Sequence, residues 1–313
     1  MIYTVTMNPS LDYMMVFKEA RLGELNRSSR EWHIPGGKGI NVSVVLENLG
    51  VENTCLGFIA GYVGEEIERV IREKGCRTEF IHLQEGCTRI NVKVREISGR
   101  ESELNGSGPV IREQHVNQLR TFVGKMQEGD LLVLSGNVPG GVPADIYGQL
   151  AVAARGRGAQ VVVDAERRYL FPALSCHPLL IKPNLYELRE MIGREIHSRD
   201  ELRAGVRILQ EQGARNVLVS LGKDGAYFLG ERGEEFFSEA PKGTVISSVG
   251  SGDSMVAGFL SRYVQAKDLE DCVRWSVAAG SAGAFSEALP ERPQIERVAG
   301  QIKVEGYDAV RPE

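Results

Sequence analysis

The 313-residue chain has little that would tie it to a membrane, a metal cluster or a nucleic acid. Its five cysteines, Cys55, Cys76, Cys87, Cys176 and Cys272, are odd in number and scattered. No C-x-x-C pair and no histidine cluster accompanies them, which argues against a zinc site or a disulfide framework and for reduced thiols. No apolar run approaches the roughly 18 residues of a membrane span. The N-terminus opens on Ile2-Tyr3-Thr4-Val5-Thr6 without a basic leader. A cytoplasmic location is the expectation. Neither sign of charge predominates: 37 Lys and Arg against 42 Asp and Glu leave −5, interspersed along the chain. No basic surface for nucleic acid or anionic lipid is therefore expected, and a polyanionic ligand must be met by a few local cations. What remains is a chain 42% hydrophobic, long enough for one large α/β domain.

Strand-like runs alternate with helical spacing over most of the length. Ile2 to Met7 reads as a buried strand ending at the turn Asn8-Pro9-Ser10, and Tyr13 to Phe17 and Arg27 to Ile34 read as two further strands without a helix between them. A strand at 53–59, a turn at 61–64 and a helix at 65–74 follow. Thr88 to Ile97 alternates apolar and polar residues and returns through Ser98-Gly99-Arg100 to 101–104, a hairpin with one wet face. With the strands at 13–17 and 27–34 it would form a small separate sheet, a lid made by about 12–34 and 88–106. From Glu113 the strand–helix alternation resumes and is read as holding to the end, favouring parallel strands with crossover helices. Polar and glycine residues concentrate just after strands, at the edge where open α/β sheets place ligands.

Two glycine-rich helix entrances stand out. In Val249-Gly250-Ser251-Gly252-Asp253 the glycines follow a β-branched run, and Met255, Val256, Phe259 and Leu260 then recur at helical spacing. The first N–H groups of a helix lack internal partners and, with the helix dipole, favour an anion. A carboxylate there repels that anion but is well placed to take a proton from a hydroxyl beside it, the pairing phosphoryl transfer needs. The plainer reading is a glycine turn with an early-helix acid. The second entrance, Pro35-Gly36-Gly37-Lys38-Gly39-Ile40-Asn41, carries a lysine where the dipole disfavours one, and its spacing is not that of a Walker loop. Arg89, at the start of the hairpin, can reach an anion bidentately, or be an ordinary surface arginine. Asn184 and Glu187 have the spacing of a capping box. His33 and His115 have no partner spacing and read as structural, as Trp32 and Trp275 read as packing.

With these residues assembled, the chain resembles the ribokinase-like carbohydrate kinases of the PfkB family over essentially its whole length. The likeness is carried by Asn8-Pro9-Ser10-Leu11-Asp12, by Gly36-Gly37-Lys38-Gly39-Ile40-Asn41-Val42 and by Gly250-Ser251-Gly252-Asp253-Ser254, in the family order. Thr88 to Lys93 and Glu103 to Pro109 resemble the subgroup acting on fructose 1-phosphate; tagatose-6-phosphate kinases are the alternative, and a phosphosugar-binding regulatory module the non-enzymatic one. The resemblance implies an αβα sandwich, one domain over 1–313 with a β-lid that pairs two subunits into a homodimer, and ATP with Mg²⁺ as cofactors. It implies Asp253 as base and the amides of Gly250, Ser251 and Gly252 as anion hole. Asp12, Gly36, Gly37 and Asn41 would hold sugar hydroxyls, while Lys38 and Arg89 take the sugar's phosphate, with Arg27 reaching it too or entering a neighbouring subunit's site. Asn137 would contact substrate, although the family commonly has serine there. Asn184 and Glu187 would serve water-bridged Mg²⁺ and phosphate, and Ser220, Gly222 and Gly225, with Lys182, the nucleotide. Asp164 and Glu166 are left to order water or cap the next helix.

Overall fold

The computed structural model describes residues 1–306; residues 307–313 of the single-domain expectation lie outside the described residues. β1 (Ile2–Thr6) lies inside a ten-stranded sheet. On one side stand β4 (Asn53–Ala60) and then β5 (Arg77–Leu83). On the other stand β8 (Leu131–Ser135), β9 (Gln160–Asp164), β10 (Leu180–Ile181), β11 (Asn216–Ser220), β12 (Ala226–Leu229), β13 (Glu235–Ser238) and β14 (Val304–Gly306). From β5 across to β11 every neighbouring pair is parallel. The expected alternation does not hold to the end, because β12, β13 and β14 join antiparallel.

The central strands are buried on both faces, so they read as unbroken apolar runs. Val161 and Val163 enter one core and Val162 the other, all with no exposure. Full burial of each such side chain contributes about 1.5–3 kcal/mol. One face is covered by α3 (Glu113–Val123), α4 (Ile146–Arg155), α5 (Arg167–Leu174), α6 (Leu185–Ile192) and α7 (Arg199–Glu211). The other carries α1 (Lys38–Asn48), α2 (Gly61–Glu73), α8 (Ser251–Tyr263), α9 (Leu269–Ala284) and α10 (Arg292–Ala299). The result is the expected three-layer αβα sandwich.

The small sheet is separate from the large one. It is ordered β3 (Arg30–Gly36), β2 (Ser10–Phe17), β6 (Arg89–Glu96), β7 (Glu101–Asn105), with β2 and β6 parallel and the outer pairs antiparallel. Several local expectations are corrected. The turn expected at 61–64 is absent, since α2 begins at Gly61 directly after β4. β5 has no alternation strong enough to announce it, because Arg77, Glu79 and His82 of this edge strand face solvent. α10 and β14 follow a segment whose polar composition hides them.

Candidate active site

The sheet reverses its order of addition beside β1. β4 and β5 extend one way, and β8 to β11 the other. A crevice therefore opens at the carboxyl ends of these strands, where the connecting loops part to opposite faces. It is a cleft of about 1090 Å³. All the candidate residues except Arg27 and Gly36 line it. Gly36 faces a smaller chamber of about 410 Å³ beside Asp12, and a Cβ on it would stand 2.7 Å from the Asp12 carboxylate carbon. Arg27 is exposed in the loop joining β2 to β3, at the end of the small sheet opposite the cleft.

Gly250 caps α8 in the left-handed conformation, φ +76°, with an added Cβ 2.7 Å from Leu289. Only glycine takes this turn without strain. The first bond inside α8 runs from Ser254 N to Gly250 O, which leaves the amides of Gly252 and Asp253 without intrahelical acceptors. Ser251 N is engaged by Ser248 O at 3.3 Å. The Lys182 ammonium stands beside these amides, 3.1 Å from where a Gly252 Cβ would be.

Asp253, in the first turn of α8, is 5% exposed, and its Oδ2 accepts from Asn41 Nδ2 at 2.8 Å. Burial, and next the charge of Asp164, push its carboxyl up to about 6, against the pull of Lys38, Asn41 and Lys182. That is the range of a base poised near neutrality. Asn41 and Lys38 come from α1, which is capped by Gly37, φ +126°, where a side chain would strike Thr6. Thr6 Oγ1 in turn accepts from Ile40 N at 2.9 Å, fixing this entrance to β1.

Asp164 neither caps α5 nor merely orders water. At 1% exposure on the end of β9, its Oδ1 lies 3.4 Å from Lys38 Nζ and 3.5 Å from Lys182 Nζ. Burial alone would raise its pKa, but Lys182 and then Lys38 hold it below the ordinary value. Asp164 in turn lifts the Lys38 ammonium above the usual lysine range, overcoming desolvation. Lys38, Asp164, Lys182 and Asp253 thus form a quartet of two cations and two carboxylates, buried except for Lys38, whose side chain is 40% exposed.

On the small-sheet wall, Asp12 Oδ1 accepts from Ser10 Oγ at 2.7 Å and from Asn91 Nδ2 at 2.9 Å. Arg89 is half-buried beside them, and burial lowers its guanidinium pKa despite the opposing charge of Asp12. The loop after β8 is held by three side chains. Tyr147 donates to the carbonyls of Ser135 and Gly136, Tyr169 to that of Val138, and Arg168 to Asn137 Oδ1 at 3.2 Å. Toward β10 and β11, the capping box forms: Asn184 Oδ1 accepts from Glu187 N and Glu187 Oε2 from Asn184 N, both at 2.8 Å. Both residues still face the cleft beside Ser220, Gly222 and Gly225. Beyond them Ala240, Pro241, Lys242 and Phe285 close an apolar end that no motif announces.

Among the described residues, five buried polar atoms without a partner line this one cleft: Arg89 Nε, Asn91 Oδ1, Ser135 Oγ, Asp164 Oδ2 and Ser251 Oγ. Buried polar groups are normally satisfied. Their concentration here gives the cleft a polar lining of donors and acceptors both. No helix among the described residues is long and apolar enough to cross a membrane, and all five cysteines are free.

Residues 5–288 match the family model described as pfkB family carbohydrate kinase. A 1-phosphofructokinase of Bacillus subtilis is 41% identical over 304 residues, 97% of this chain and 99% of that one. A D-tagatose-1-phosphate kinase of Bacillus licheniformis is 35% identical over 306 residues, 97% and 99% of the two chains. The phosphofructokinase-2 of Escherichia coli, solved with substrates and products, superposes with a TM-score of 0.91 at 30% identity, covering 96% of this chain and 98% of its own. That protein has also been solved in a tetrameric inhibited form.

Proposed function

Because the chain belongs to the pfkB family of carbohydrate kinases, we propose that it transfers the γ-phosphoryl group of ATP to fructose 1-phosphate, giving fructose 1,6-bisphosphate. The observation that carries this reading is the cleft itself. A buried carboxylate held near pKa 6 and the free amides of α8 face cations across one crevice.

In this reading Asp253 takes the proton of the attacking sugar hydroxyl, and Asn41 keeps the carboxylate aimed. The amides of Gly252 and Asp253, with Lys182, meet the negative charge gathering on the transferred group. Asp12 holds sugar hydroxyls through Oδ2, the oxygen its own neighbours leave out. Arg89, with a buried Nε awaiting an acceptor, grips the existing phosphate. Lys38, tied to Asp164 and near Asp253, stands closer to the reacting end than the sequence suggests, screening charge between acceptor and donor. The nucleotide lies along Asn184, Ser220, Gly222 and Gly225 toward the apolar end at Phe285. Mg²⁺ arriving with it would be held through water by Glu187, whose Oε1 is outside the capping box, and by Asp164 Oδ2; it supplies charge neutralisation on the phosphates.

A binding-only module would have no use for a buried carboxylate at the start of α8 beside free amides. A second reading takes the epimeric ketose phosphate as acceptor, supported by the relative named D-tagatose-1-phosphate kinase, and stands beside tagatose 6-phosphate as an alternative. A coupled ADP-release assay with fructose 1-phosphate, tagatose 1-phosphate, fructose 6-phosphate and tagatose 6-phosphate decides; preference for either 6-phosphate would overturn the reading. The small sheet is the proposed lid and, through a second copy, the proposed dimer contact. Leu22 and Leu25, 96% and 78% exposed beside Arg27, support that role. Sedimentation at a monomer's rate at micromolar concentration would reject it.

A further inference from the structure

Asn91 is 6% exposed and lies on β6 directly opposite Asp12 of β2. Its Nδ2 donates to Asp12 Oδ1, the oxygen that Ser10 Oγ also serves. A carboxylate oxygen offers no proton, so only one orientation of the amide is chemically sensible: NH₂ toward Asp12, carbonyl oxygen turned away. That carbonyl oxygen, Asn91 Oδ1, is buried in the cleft wall without a partner. Neither bond to Asp12 uses its Oδ2. Ser10 therefore fixes Asp12, Asp12 fixes Asn91, and the chain ends in an acceptor with nothing to accept.

We infer that Asn91 is a specificity-determining residue that accepts a hydroxyl of the ketose phosphate through Oδ1, beside a second hydroxyl on Asp12 Oδ2. The two acceptors stand on neighbouring strands, so together they read a vicinal diol. A sugar lacking one of these hydroxyls, or carrying it in the opposite configuration, leaves Oδ1 buried and unpaired, the situation in which a polar site discriminates most strongly. Fructose and tagatose phosphates differ in configuration only at C4. Asn91 is accordingly where the two epimers are told apart. This deepens the proposed function and rests on it.

The test compares wild type with Asn91→Ser on fructose 1-phosphate, tagatose 1-phosphate and the 3-deoxy and 4-deoxy analogues of the better sugar. Expected in wild type is a loss of tenfold or more in kcat/KM for the epimer and for at least one deoxy analogue. In Asn91→Ser both ratios fall toward one, while KM for ATP stays within about twofold. An equal fall for all sugars would mean that Asn91 only props Asp12, and would overturn the inference. Should the variant not fold, as judged by thermal unfolding, the wild-type deoxy series still decides: no penalty at either position refutes a diol reader. Failure of wild type to use any ketose 1-phosphate would instead remove the substrate assignment itself.

Discussion

Replacing Asp253 by asparagine should abolish turnover and stabilise the protein at the same time. In the folded chain this carboxyl is raised from 3.8 to about 6, chiefly by burial. A raised carboxyl pKa means that the ionised form is disfavoured by folding, so the penalty is absent below the unfolded value and complete above the folded one. A shift of this size corresponds to roughly 3 kcal/mol at pH 8, about half of it at pH 5 and little below pH 4. Asparagine keeps an acceptor for Asn41 Nδ2 but forfeits the favourable interaction with the start of α8, about 0.3–1 kcal/mol. The net gain is then about 2 kcal/mol, or a rise of about 3 °C in Tm for a chain of this length. Thermal unfolding of both proteins across pH 5–8 measures it, and the difference should widen as pH increases. In parallel, wild-type kcat/KM should fall on the acid side with an inflection near 6, and the variant should lose about 10²–10⁴-fold while still binding ADP. A Tm difference that is absent at pH 8, or the same at both ends, would refute the assignment of Asp253 as a strained base.

Arg89→Met should raise KM for fructose 1-phosphate by about 10–100-fold, as for loss of a charged hydrogen bond, with KM for ATP little changed; steady-state kinetics with each substrate varied would read it. Gly250→Ala forces a side chain into a left-handed turn and against Leu289, and should cost about 1–2 kcal/mol in denaturant unfolding together with a drop in kcat. Arg168→Met should leave Asn137 Oδ1 held by Val138 N alone and raise KM for the sugar a few-fold, an effect absent in an Asn137→Ser background.

The glycine entrances are legible in the sequence because turn chemistry is local: Gly250 and Gly37 announce themselves within a few residues of the helices they start. The alternating lid strands are legible for a similar reason, since one face is wet. Asp164 is not, because its meaning comes from Lys38, distant in sequence, and from the parallel packing that brings β9 beside β10. Asn91 is hidden likewise, as its partner Asp12 is reached only once β2 pairs with β6. Arg27, expected at its own or a neighbouring subunit's phosphate site only through the family resemblance, is carried by the strand direction to the end of the small sheet away from its own cleft. The antiparallel strands after β11 are apolar runs like the parallel ones before them, so periodicity does not separate the two.

β3 ends at Gly36 and α1 begins at Lys38, so a single residue, Gly37, joins the small sheet to the body of the molecule at this point. The groups that grip the sugar are rooted on one side of this joint, and the groups that activate it on the other. Gly37 is thus a joint between the two, and a swing of the small sheet about it would shift the acceptor hydroxyl relative to Asp253. Alignment for reaction would then be linked to sugar contacts on the small sheet, and a water molecule, too small to make them, would be a poor thief of the phosphoryl group.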